Sequence, residues 1–148
     1  MTYTVTKTYP HSLGLSVCFR QWGAESHCRF IHGYAMAFTL TFAAETLDAN
    51  NWVQDFGSLK PVKAYLQDVF DHKMLVAQDD PRIDDLTYLS QLGLADVLVV
   101  PKIGCEAFAL MVYDAVRTLV PMHKGVRLVS VECREHEGNA ATYHGGLL

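Results

Sequence analysis

This 148-residue chain lacks a paired-cysteine motif, a long apolar run, an excess of basic charge and any low-complexity tract. Its four cysteines, Cys18, Cys28, Cys105 and Cys133, form no CxxC pair and follow no disulfide-framework spacing. The opening MTYTVTKTYPHS has neither the charged start nor the apolar middle of an export signal, so reduced thiols in a cytoplasmic protein are expected. No apolar stretch approaches the ~18 residues of a membrane span. A net charge of −4 offers no basic face and excludes nucleic acid as the main partner. With no repeat or linker, residues 1–148 read as one domain. Half of the residues are hydrophobic, enough for a core without disulfide or metal staples.

What is present divides by period. Thr2–Tyr9 and Tyr34–Ala44 are β-branched and aromatic, and read as strands paired antiparallel. The stretch from Pro10 to Gly33 reads as one long irregular loop, of the kind a compact domain keeps for function. From Ser58, apolar residues at Leu59, Val62, Tyr65, Leu66, Val69 and Phe70 recur at three and four, a helix ending near Asp71-His72. A short helix or turn is expected near Tyr88–Leu92 and a second clear helix over Glu106–Leu119. Val126–Cys133 and Ala140–Tyr143 close the chain as strands. The expected order is ββααββ, an α+β architecture with an antiparallel four-stranded sheet and two helices on one face. Such a sheet has edges to protect, and joining subunits edge to edge into a β-barrel is one solution.

The segment HCRFIHGY, residues 27–34, has the look of a metal-and-thiol site. Together with QDFGSLK (54–60), DHKML (71–75) and VECREHEGNAATY (131–143), it resembles the 6-pyruvoyltetrahydropterin/6-carboxytetrahydropterin synthase family. The motifs come in the family's order over nearly the whole chain. The resemblance implies a tunnelling fold assembled as trimers and hexamers, with pterin pockets at subunit interfaces. It also implies a lyase acting on 7,8-dihydroneopterin triphosphate or a related pterin. Cys28 matches the family's proton-transfer thiolate, a role that needs a lowered pKa. Asp71 and His72 match the assisting Asp-His pair, in which the carboxylate fixes the ring's tautomer. Glu132 matches the pterin-anchoring glutamate, a carboxylate suited to an N–C–N edge, and Glu106 matches a second glutamate at the start of the last helix.

The chain departs from the family at its zinc site. Of the three histidine positions, His32 alone keeps its residue, while Phe19 and Tyr34 occupy the other two. A phenyl ring binds no metal and a phenol ionises only near pH 10, short of the three ligands a catalytic zinc needs. His11, His27 and Cys18 are the other donors of the loop that could rebuild a site. Arg20, Arg29 and Lys73 are the cations available to an oxyanion or triphosphate. The sequence thus supports a pterin side-chain lyase and, as the alternative, a catalytically degenerate pterin- or purine-binding paralogue without zinc. A purely structural oligomer fits poorly with retention of Cys28, Asp71 and His72.

Overall fold

A computed structural model describes residues 1–146. The elements run β1 (Tyr3–Tyr9), β2 (Leu15–Phe19), β3 (His32–Ala44), α1 (Lys60–Phe70), β4 (Lys73–Ala77), α2 (Ile83–Gln91), β5 (Val97–Val100), α3 (Cys105–Leu119), β6 (Arg127–His136) and β7 (Asn139–His144). β3 is the hub. Its last half pairs antiparallel with β1, its first half pairs antiparallel with β2, and β6 lies along the other edge. β7 continues beyond β6, while β4 and β5 extend the β2 side by parallel pairing.

The four expected strands are therefore present as β1, β3, β6 and β7 and pair antiparallel, but the sheet does not stop there. Among the described residues it has seven strands, is mixed, and is accompanied by three α-helices. The expected ββααββ order, with four strands and two helices, left out β2, β4 and β5, and the short helix or turn expected near Tyr88–Leu92 is the last part of a full helix, α2, that starts at Ile83. β4 (KMLVA) is covered on both faces and β5 (VLVV) is an edge strand with Val99 exposed; both read as short apolar runs rather than alternation. β2 (LSVCF) does alternate, but it lies inside the stretch expected to be irregular. That stretch is further ordered by 3-10 turns at His11–Leu13 and His27–Arg29.

Packing follows from the periods. Met36, Phe38, Leu40 and Phe42 of β3 are fully buried at every second position. They meet Val62, Leu66 and Phe70 of α1 and Phe108, Val112 and Val116 of α3 in one core cluster. A chain of rings runs through it: Phe38 to Phe70 at 4.9 Å, Phe70 to Phe108 at 5.5 Å, and Phe108 to Phe19 at 5.3 Å. Phe19 thereby connects the core to the segment 27–34. The QDFGSLK motif works as a helix start: Asp55 Oδ1 accepts from the Gly57 amide at 2.8 Å, and Gln54 donates to Ser58 Oγ at 2.7 Å.

Candidate active site

The long segment between β2 and β3 is tied down rather than loose. Arg20 donates twice to Asp80, at 2.8 and 2.6 Å, and this carboxylate is almost completely buried. The guanidinium bonds hold the Asp80 carboxyl below the usual carboxylate range, and Asp80 raises Arg20 in return. Trp22 reaches Asp79, the Gln21 amide donates to the Cys28 carbonyl at 2.9 Å, and the Gln21 side chain donates to the Ile103 carbonyl at 3.1 Å. Cys28 is thus carried on a fixed 3-10 turn, which Ser26 caps by accepting from the Cys28 amide.

Cys28 faces a cavity of about 400 Å³. The same wall holds His32, Phe19, Cys105, Glu106 and Glu135. Glu106 comes from the first turn of α3. Glu135 comes from an irregularity in β6, where Arg134 faces Ala140 and His136 faces Asn139, leaving Glu135 unpaired. Such a bulge re-aims a side chain. Cys105 and Cys133 sit beside each other; contact with Cys105 first, and burial second, push the Cys133 thiol far up, so it stays protonated. Of the two thiols that line the cavity, Cys105 is buried and Cys28 is the more accessible.

Glu132 lies elsewhere. It does not line the Cys28 cavity but accepts from Arg134 Nε at 3.0 Å on a partly exposed part of β6. Glu135 was missed in the sequence. The one signal for it was its spacing, two and four residues beyond the buried Cys133 and Val131.

Asp71 and His72 form a pair, with Asp71 Oδ1 accepting from His72 Nδ1 at 2.6 Å. The His72 ring is widely exposed and its backbone is left-handed, with φ 56°. Holding a non-glycine residue there costs energy, and such strain concentrates at functional positions. The pair does not share the Cys28 cavity. His72 lines a second one of about 530 Å³ with Cys18 and Gly33. Cys18 faces Gly33 in the β2–β3 ladder and Phe19 faces His32 one step on, so alternation puts the two cavities on opposite faces. A single chain does not bring Cys28 and His72 together.

The three positions that the resemblance assigns to a metal hold a cluster of rings. Phe19 lies 5.3 Å from His32 and 6.1 Å from Tyr34, and His32 meets Tyr34 edge-on at 5.6 Å. His32 Nδ1 donates to the Phe30 carbonyl at 2.7 Å, leaving Nε2 as its free donor atom. Burial first, then the charges of Glu135, Cys28 and Cys105, raise the Tyr34 phenol, which keeps it neutral. Cys18 lies on the opposite face, and its thiol is raised by burial. Among the described residues no three His, Cys, Asp or Glu converge on a metal position. These residues do not fit a three-histidine zinc centre. Of the cations, Arg20 is taken by Asp80 and Lys73 by Asp96 at 2.5 Å. Arg29 lies over the Phe30 ring at 4.4 Å, and its hydrogen bonds go only to backbone carbonyls.

A thiol and two carboxylates thus line one cavity of an α+β fold, a concave setting with a few converging polar groups. The pattern of the 6-pyruvoyl tetrahydropterin synthase family matches residues 11–146, and the chain belongs to that family. Two curated proteins called 6-carboxy-5,6,7,8-tetrahydropterin synthase, from Rickettsia bellii and Rickettsia typhi, are 32% and 36% identical to it over 62 residues. Those matches cover 41% of this chain and 45% of each relative, less than half the relatives' length. An uncharacterized protein of Wolinella succinogenes has the same fold, with TM-score 0.84, 19% identity and 99% of both chains covered. The 6-pyruvoyl tetrahydropterin synthase of Caenorhabditis elegans is similar at TM-score 0.63 and 15% identity, over 99% of this chain and 96% of that one. Among the described residues no helix is long and apolar enough to cross a membrane.

Proposed function

We propose that this protein is a pterin side-chain lyase acting on 7,8-dihydroneopterin triphosphate or a related pterin. The observation that carries the reading is the grouping of Cys28, Glu106 and Glu135 around one cavity of a chain of this family. In this reading Glu135, with Glu106 beside it, takes the ring's N–C–N edge by paired charge-assisted hydrogen bonds. Glu135 replaces Glu132 in that role. Cys28 removes and returns the proton at the side-chain carbon next to the ring, as a thiolate.

Asp71 and His72 complete the site from a second copy of the chain. Their exposure, and their place on the face opposite Cys28, support this. So do the free outer edges of β1 and β7 among the described residues, where copies would join into a barrel, as a trimer or hexamer. No step is assigned to zinc, because the donor set of Phe19, His32 and Tyr34 does not suit it. The same loss of donors favours the second reading, a protein that binds a pterin or purine without converting it.

One experiment separates the two. Purified protein incubated with 7,8-dihydroneopterin triphosphate, with a chelator present, releases triphosphate or a side-chain aldehyde if it is a lyase. Cys28→Ala is expected to abolish release while still binding the pterin. Binding by the wild type with no release establishes the second reading instead.

A further inference from the structure

Only one of the two departures at the metal positions removes all chemistry. Phe19 supplies packing alone, its ring against Phe108 and 4% exposed. Tyr34 brings a hydroxyl. It stands two residues after His32 on β3 and so faces the same way. Its ring is held on three sides, by Phe19, by His32 and by His136 at 6.0 Å.

The backbone at this point is equally fixed. A side chain at Gly33 would meet the Val17 carbonyl at 2.5 Å, so β2 and β3 are pressed together beside Tyr34. The groups whose charge acts on its phenol, Glu135, Cys28 and Cys105, all line the Cys28 cavity. Tyr34 itself borders the cavity that holds His72. Its ring nonetheless packs on the face of His32, which lines the Cys28 cavity.

What sets this hydroxyl apart is its place, since half-buried Tyr65 also makes no side-chain hydrogen bond among the described residues. Tyr9 donates to the Leu59 carbonyl and Tyr113 to the Leu128 carbonyl, as tyrosines that pack for structure generally do. Among the described residues the Tyr34 hydroxyl has no protein partner. A phenol held by three rings on the face of His32, with its donor left open, is set for a ligand bound against Cys28.

We infer that Tyr34 is a further catalytic residue: its hydroxyl donates a hydrogen bond to an oxygen of the bound pterin's side chain. There it stabilises the negative charge that builds as Cys28 takes the neighbouring proton. This inference rests on the lyase reading. A fixed donor aimed at developing charge does the work of an oxyanion-hole group, without a metal.

The test is Tyr34→Phe, which keeps the ring and removes the hydroxyl. With a chelator present, kcat is expected to fall about 10²- to 10³-fold, the usual loss for one such donor, with KM changed only a few-fold. A binding comparison accompanies it. The wild type should prefer 7,8-dihydroneopterin over a dihydropterin without side chain, and Tyr34→Phe should lose about 3- to 10-fold of that preference. A turning-over wild type whose Tyr34→Phe variant keeps both kcat and preference overturns the inference and leaves the lyase reading intact. A wild type that shows no turnover overturns the lyase reading and the catalytic role together.

Discussion

Replacing Glu135 by glutamine keeps the side chain's size and its place on the β6 bulge but removes the charge that faces the Cys28 cavity. In the proposed complex this carboxylate accepts two hydrogen bonds from the pterin's N–C–N edge. The amide retains one acceptor and presents an N–H where another N–H must sit. Hydrogen bonds to a charged partner are worth about 1.5–3 kcal/mol each, so losing one weakens binding by roughly 10- to 150-fold. Glu132→Gln serves as the control, because Glu132 is a third exposed and paired with Arg134. Breaking such a surface pair costs at most about 1 kcal/mol of stability and should leave the affinity within about 2-fold. Fluorescence titration with 7,8-dihydroneopterin, at one salt concentration, measures both. If Glu132→Gln weakens binding as much as Glu135→Gln, the assignment of the cavity carboxylate is refuted.

Two further outcomes follow from the same geometry. Asp80→Asn leaves the Arg20 guanidinium without its charge partner and one of its two side-chain acceptors, and should cost up to about 3–5 kcal/mol in urea unfolding, with the segment carrying Cys28 loosened first. Since the Asp80 carboxyl is held below its ordinary value, its contribution is present above an unfolded pKa near 3.9 and is lost as pH falls through the folded one; a stability profile that is flat below pH 4 would contradict it. The double variant Phe19→His/Tyr34→His restores three histidines on one face and should bind about one zinc per chain by elemental analysis, against a wild type near zero. Zinc-free double variant protein, after zinc has been added, would show that the Phe19, His32 and Tyr34 positions are not the former ligand set.

How much of this was readable in the chain depends on how each element declares itself. β1, β3, β6 and β7 carry period-two or β-branched patterns, and α1 and α3 carry a three-and-four spacing, so both groups stood out. β4 and β5, at five and four residues, are short apolar runs that periodicity does not distinguish from a buried helix segment. α2 was expected only as a short helix or turn near Tyr88–Leu92, because it buries only Leu86 and so carries too little of an apolar stripe to show its start at Ile83. At the site, Cys28, His32 and Glu106 were legible as motif residues and do share one cavity. Glu135 was not, because the motif match fell on Glu132, while the alternation of Val131, Cys133 and Glu135 marks a shared face but not a function. The placing of Asp71-His72 on the face opposite Cys28 was hidden for another reason. It is decided by the pairing of Cys18 with Gly33 and Phe19 with His32, a register no single segment contains.

The proposed lyase site is made by two chains, with Cys28 from one and His72 from the other. Co-expression of Cys28→Ala and His72→Ala subunits, each inactive alone, tests it directly on 7,8-dihydroneopterin triphosphate. Random assembly of a symmetric oligomer should leave about a quarter of the sites with both groups intact and recover activity in that proportion. Mixed oligomers as inactive as either parent would contradict the claim.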